Sequence, residues 1–249
     1  MWLLKALSLP ITSGLLSSST LSVHTSIGVA TVSLLPILHF ALLRVDTLYH
    51  SQNLEGALTT LPGARIVCPS FADDAAGLLR TSMRSKGFTL YLEPKALYNS
   101  VEAAAVVPEE FEVPFGKARI RREGTDLTII TYGNTTHFCL DVAERLAREG
   151  VGSVEVIDLR SLIPLDKEAI FESVKKTSKA LVVHEDKVFS GFGAELAAMI
   201  SGEMFRYLDG PVQRVGSTFT PVGFNPILEK EILPDEAKIY EAARRLLEY

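Results

Sequence analysis

Three continuous apolar runs, at 127–132 (LTIITY), 154–158 (VEVID) and 180–184 (ALVVH), are separated by stretches whose apolar residues recur at helical spacing. Strands that are apolar along their whole length are buried on both faces, as in parallel sheets covered by crossover helices. The spacing predicts helices over 135–149, 167–177, 193–201 and 234–247, and a short strand over 212–216. Asp235 and Glu236 suit the start of the last helix, where negative charge meets the positive end of the helix dipole. The alternation is that of a doubly wound α/β domain.

A shorter unit of the same kind lies upstream. The turn pair Pro62-Gly63 introduces a β-type run at 64–69 (ARIVCP). Residues 71–84 follow with Ala75, Leu78, Leu79, Ser82 and Met83 at helical spacing, Ser70 as N-cap candidate, and Asp73 and Asp74 in the first turn. A strand at 88–92 (FTLYL) completes one βαβ unit, which implies parallel pairing. Between the two units, 100–116 holds Pro108, Pro114, Glu109, Glu110 and Glu112 without clean periodicity, the composition of a domain linker. No internal repeat is present.

The chain of 249 residues has room for one large domain or two modest ones. A net charge of -5 and a pI near 5.6 argue against nucleic acid as the main partner, because phosphate binding needs a basic patch. Cys68 and Cys139 make neither a disulfide framework nor a metal cluster. They read as small buried thiols in a reduced, cytosolic or matrix-like compartment.

The beginning of the chain is different. Residues 6–43 contain no Asp, Glu, Lys or Arg. The best apolar run, 29–43, falls short of the roughly 20 residues a membrane helix needs and carries Ser33, Pro36 and His39. Lys5 and the serine-rich 13–22 stretch only weakly imitate a signal peptide. The run 34–43 is helix-compatible but has no matched partner face, so a helix there is expected to make few contacts.

Chemistry has few candidates. Gly191-Phe192-Gly193 lacks the third glycine of a dinucleotide fingerprint and reads as a tight strand-to-helix turn. His184-Glu185, at a strand end, reads as a structural polar pair, and His137 as a solvated residue in a first helical turn. His50 lies in a polar loop, Tyr49-His50-Ser51-Gln52, where a histidine of near-neutral pKa can donate or accept a proton.

The motifs LYHSQ, PGARIVCPS, LYLEPKALY, VIDLRSLIPLD and SGFGAE occur in this order. In them the chain from about residue 48 onward resembles the transketolase-like β subunits of thiamine diphosphate-dependent 2-oxo acid dehydrogenases. Residues 156–166 are the most specific piece and Tyr49–Gln52 the next. The resemblance implies an α/β fold. A partial pyrimidine-binding domain occupies 48–105, a linker 106–117, and a transketolase C-terminal-type, doubly wound domain 118–249, after a non-homologous head at 1–47. It implies thiamine diphosphate with Mg2+, shared with an α subunit in a heterotetramer, and acyl transfer to a lipoyl arm on a dihydrolipoyl acyltransferase core. His50 carries over as proton donor or oxyanion partner, and Tyr49 and Gln52 as neighbours of the cofactor pocket. Glu93-Pro94-Lys95 leans toward branched-chain 2-oxo acids over pyruvate.

Two departures from the family matter. Ser85 stands where the family commonly has the Asp of a cation-stabilised loop, which argues against bound potassium. Residues 1–47 also lack the family's first strands and its cofactor-binding glutamate. When the last base of each codon from Ser26 is joined to the first two of the next, the residues permit Tyr-Trp-Arg-Ser-Asn-Gly-Gln-Phe, close to a family stretch. Arg44-Val45-Asp46 shifted likewise permit Gly-Gly. Much of 1–46 is therefore expected to be a frame-shifted translation. With no Gly-Asp-Gly…Asn motif for Mg2+ and diphosphate, the chain is expected to be inactive and cofactor-free alone. The alternative class is a membrane-anchored, non-catalytic α/β interaction module.

Overall fold

In the computed structural model the described residues are 52–249 apart from Phe224, together with the backbone of 37–40. They form two sheets. The first contains β1 (Ile37–Phe40), β2 (Arg65–Val67), β3 (Thr89–Pro94) and, from much later in the chain, β7 (Ser161–Ile163). Its order is β1-β3-β2-β7, with β3 parallel to both of its neighbours and β7 antiparallel to β2. The second contains β4 (Arg119–Arg122), β5 (Leu127–Thr131), β6 (Val154–Asp158), β8 (Ala180–Lys187) and β9 (Gln213–Ser217). Its order is β4-β6-β5-β8-β9, parallel except for β4. The apolar runs at 127, 154 and 180 are its three central strands, as their uniform hydrophobicity requires.

The backbone of 37–40 is a strand in register with 91–94, where the apolar run suggested a helix. The rest of 1–51, including the frame-shift reading, lies outside the described residues.

The helices are α1 (Glu55–Leu58), α2 (Ala72–Arg84), α3 (Thr135–Arg148), α4 (Lys167–Thr177), α5 (Phe192–Glu203), α6 (Pro226–Ile232) and α7 (Glu236–Leu247). Side-chain caps fix three starts: Asp166 accepts from the Ala169 N–H, Asn225 from Ile227 and Asp235 from Lys238. Ser70 does not cap α2, whose first flanking residue is Phe71. Its hydroxyl lies 2.9 Å from that of Thr136, a tertiary partner that outcompetes the local one.

One core joins the sheets. Ile66, Leu90 and Leu92 of the first pack with Ile130, Ile157 and Val182 of the second, under Ile170 and Val174 of α4 and Leu196 and Ile200 of α5. The other face of the second sheet is covered by α3 and α7. On the first sheet, Val67 and Tyr91 pack on α2, together with Ala103 and Val113 from the proline- and acid-rich stretch. Each fully buried aliphatic side chain contributes roughly 1.5–3 kcal/mol before the entropy of ordering is subtracted.

A buried ion network pins the same seam. Arg160 Nη1 donates to Asp74 Oδ1 at 2.7 Å, while its Nε and Nη2 donate to the carbonyls of Lys117 and Ala118. Arg121 donates to Asp158 at 2.8 and 3.1 Å, bonds Asp74 as well, and lies 3.9 Å over the Phe71 ring. Arg160 holds a left-handed backbone, φ 57°, a cost for a side chain with Cβ that these bonds offset. This explains why 156–166 is so distinctive a string: Asp158, Arg160 and Asp166 each have a fixed partner.

Candidate functional site

Carboxyl ends of parallel strands converge where the chain enters α1. Cys68 follows β2, Glu93 and Pro94 end β3, Tyr132 follows β5, and Glu185 stands near the end of β8. With Asn53, Glu55, Gly133 and Asn134 they surround a cavity of about 10 Å³, room for roughly one water. Such crevices at strand ends are where open α/β sheets place ligands. Gly133 makes the turn from β5 into α3 with φ 62°, and any Cβ there would crowd Cys68 Sγ at 3.1 Å.

Among the described residues, acids and amides make up most of the polar lining of the pocket. Asn134 Nδ2 donates to Glu185 Oε1 at 2.9 Å, and Asn53 Nδ2 to Glu55 Oε1 at 3.1 Å. Burial pushes the Glu185 carboxyl up to about 7, and the amides of Asn134 and Asn53 pull part of the way back. Glu55 is raised well above the carboxylate range, first by burial and then by the Asp186 and Glu185 charges. Burial likewise raises the Cys68 thiol and the Tyr132 phenol. Asn53 Oδ1, Glu55 Oε2 and the Tyr132 hydroxyl are buried without a hydrogen-bond partner among the described residues.

His184 is fully buried, with both ring nitrogens unpartnered among the described residues and the Tyr132 ring stacked at 6.4 Å. Burial drives its pKa down to about 4 against the opposing pull of Asp186, so it is neutral at pH 7. A Cβ on Gly193 would stand 2.0 Å from its Nε2. Glycine at the start of α5 is thus required by the close approach of the histidine ring, and the Gly191–Gly193 stretch is the strand-to-helix turn its sequence indicates.

Sequence and structure differ in places. His184 and Glu185 do not pair with each other: the histidine packs beside Gly193 and Tyr132, whereas Glu185 meets Asn134. His137 is buried, not solvated; its Nε2 lies 2.8 Å from the Ser70 carbonyl and its ring 4.6 Å from that of Phe71. Cys68 and Cys139 are buried free thiols, as expected. Tyr49 and His50 lie outside the described residues. Gln52 is half-buried and lines a small adjoining cavity with Asn53, Glu185, Lys187 and Ser217. Sequence reasoning missed Asn53, Glu55 and Asn134. The available signal was a polar His-Glu-Asp ending an otherwise apolar strand.

Residues 116–239 match the family described as "Transketolase, C-terminal domain". Over 203 residues, 81% of this chain and 62% of the relative, the chain is 40% identical to the 2-oxoisovalerate dehydrogenase subunit beta of Bacillus subtilis (strain 168). The chain belongs to this transketolase-like β-subunit family. The pyruvate dehydrogenase E1 component subunit beta of Rickettsia felis is 39% identical over 80% of this chain and 60% of its own. The family member here thus spans about 60% of the length of these curated relatives, which are subunits of enzymes. Among solved structures, an inactive β4 tetramer of a split-gene transketolase superposes with a TM-score of 0.66 at 22% identity, over 81% of this chain and 63% of that one. A Pichia stipitis transketolase mutant superposes with a TM-score of 0.55 at 14% identity, over 82% of this chain and 28% of that one. At those identities the likeness is one of fold, and it bears out the mixed α/β, transketolase-like reading. Among the described residues no helix is long and apolar enough to cross a membrane.

Proposed function

We propose that this family member serves as the β side of a thiamine diphosphate-dependent 2-oxo acid dehydrogenase, taking part in oxidative decarboxylation and acyl transfer to lipoyl. The observation that most supports this is the 40% identity over 81% of the chain. The buried, under-satisfied pocket at the strand ends is taken as part of the same site as Tyr49-His50-Ser51-Gln52. Residues 48–105 are taken as part of a pyrimidine-binding domain, 106–117 as linker and 118–249 as the C-terminal-type domain. Thiamine diphosphate, when bound, supplies the nucleophilic carbon and the electron sink for loss of CO2. His50 gives or takes a proton at the substrate's oxo oxygen or stabilises it as an oxyanion. Tyr49 and Gln52 orient that imidazole by hydrogen bonds.

The described residues do not fit the Mg2+-diphosphate end of the cofactor. They include no group of three or more His, Cys, Asp or Glu suited to a metal ion, and the pocket's carboxyls would repel phosphate. We assign that end to an α subunit of a heterotetramer, with a dihydrolipoyl acyltransferase core as the next partner. The compartment is cytoplasmic, or the matrix in a eukaryote, and Glu93-Pro94-Lys95 inclines the substrate toward branched-chain 2-oxo acids. Calorimetric titration with thiamine diphosphate and Mg2+ tests the division of labour. The chain alone should give no heat of binding, and the chain mixed with an α subunit a saturable one. Micromolar binding to the chain alone would refute it.

A further inference from the structure

Neither α1 nor α5 caps its own first turn: Leu54 and Gly191, the residues before them, supply no side-chain hydrogen bond. The free N–H groups of a helix start need an acceptor when they are buried. One side chain from the end of β8 serves both helices. Buried Asp186 accepts through Oδ2 from the Gly56 N–H at 2.8 Å and from the Phe192 N–H at 3.2 Å. Its Oδ1 accepts from the Lys187 N–H at 2.8 Å, and Lys187 Nζ donates to the Asn53 carbonyl at 3.3 Å. The seat is tight. A Cβ on Gly56 would lie 3.1 Å from Asp186 Oδ2 and 2.6 Å from the Ser190 carbonyl oxygen, and one on Gly191 3.0 Å from the same Oδ2.

We infer that Asp186 is a positioning residue for the pocket: by capping α1 and α5 together it fixes the turn 53–56 to the β8–α5 loop, and so sets the Asn53 and Glu55 side chains against Cys68, Tyr132 and Glu185. The pocket needs such a tie because its walls come from distant parts of the chain. Asn53 and Glu55 belong to the short segment at α1, whereas Tyr132, Asn134 and Glu185 stand at the ends of β5 and β8. A helix of four residues cannot hold its own shape, since the first turn costs more order than its hydrogen bonds return. The bond from Asn53 Nδ2 to Glu55 Oε1 at 3.1 Å ties these two to each other and leaves their place in the pocket to be set from outside. A carboxylate that accepts from both backbones does this with the stronger, charge-assisted class of hydrogen bond.

The chain's two thiols report on this tie. Cys68 lines the pocket beside Asn53 and Glu55, and Cys139 is buried in the separate core under α3 and α7. The test is the rate of N-ethylmaleimide labelling of the whole chain, resolved at each cysteine by peptide mass spectrometry. Asp186→Ala should speed labelling of Cys68 by about tenfold or more and leave Cys139 unchanged, because the turn then opens locally. Asp186→Asn, whose amide oxygen can still accept both N–H groups, should stay close to the unaltered chain. Should the alanine variant fail to fold, Gly56→Ala takes its place: the added methyl must push the turn off the Ser190 carbonyl with Asp186 intact, and Cys68 alone should again label faster. Unchanged labelling of Cys68, a parallel rise at Cys139, or an Asn variant as fast as the Ala variant would overturn the proposal. The bearing on turnover rests on the function proposed above. In complex with an α subunit, Asp186→Ala should lower kcat about tenfold or more, with Asp186→Asn restoring most of it. An unaltered kcat beside faster Cys68 labelling would overturn the positioning role. No turnover by the unaltered complex would sink the functional reading and leave the labelling result standing.

Discussion

Two buried charge clusters lie on the seam between the sheets, and they follow opposite plans. In one, Asp74, Arg121, Asp158 and Arg160 alternate in sign, and both guanidiniums find carboxylates or carbonyls. Burial lifts the Asp158 carboxyl and Arg121 pulls it back. In the other, Glu55 and Glu185 meet amides, and among the described residues Glu55 Oε2, Asn53 Oδ1, the Tyr132 hydroxyl and both His184 nitrogens have no partner. A satisfied network rigidifies a fold, whereas unsatisfied buried groups cost free energy and are retained where a site needs them. The comparison assigns the first cluster to the scaffold and the second to function.

The sharpest way to break that assignment is at Asp74, which both buried arginines contact. Asp74→Ala should leave Arg160 with carbonyl partners only and Arg121 with Asp158 alone, and lower stability by about 3–5 kcal/mol in urea unfolding. A loss below about 1 kcal/mol would remove the network from the scaffold. Next comes Gly193→Ala, where the added methyl must displace the His184 ring or the helix. The expected cost is about 1–3 kcal/mol by the same assay, and no measurable cost would show that the ring can move aside.

The smallest effect carries the most information about the second cluster. Glu185 binds its proton more tightly folded, at about 7, than its ordinary 4.5 allows in the unfolded chain. The stability it contributes is present below about 4.5 and is lost as pH rises through about 7. Glu185→Gln removes that loss. The variant should exceed the unaltered protein by on the order of 1 kcal/mol at pH 8, with the advantage gone near pH 4. Thermal unfolding across that range checks it, and parallel curves would contradict the burial argument.

Much of the fold was legible because burial on both faces writes itself as unbroken apolar strings at 127, 154 and 180. Strand β4 was not, because Arg-Ile-Arg-Arg looks solvated until its pairing with β6 and the contact with Asp74 bury Arg121. Ser70 and His137 were misread for one reason: a local rule was applied to residues whose partners, Thr136 and the Ser70 carbonyl, are more than sixty positions away in sequence. The site was half legible. The Tyr49-His50-Ser51-Gln52 motif and the polar end of β8 were visible separately, but only the fold brings Asn53 and Glu55 to Glu185. No sequence period encodes that juxtaposition.

The account stands or falls on His50. The decisive measurement is 2-oxo acid decarboxylation by His50→Ala in complex with an α subunit, against the unaltered chain in the same complex and with melting temperature recorded alongside. The account predicts a fall in turnover of about 100- to 10,000-fold with the melting temperature nearly unchanged. Near-normal turnover with a large drop in melting temperature would contradict it and make His50 part of the scaffold.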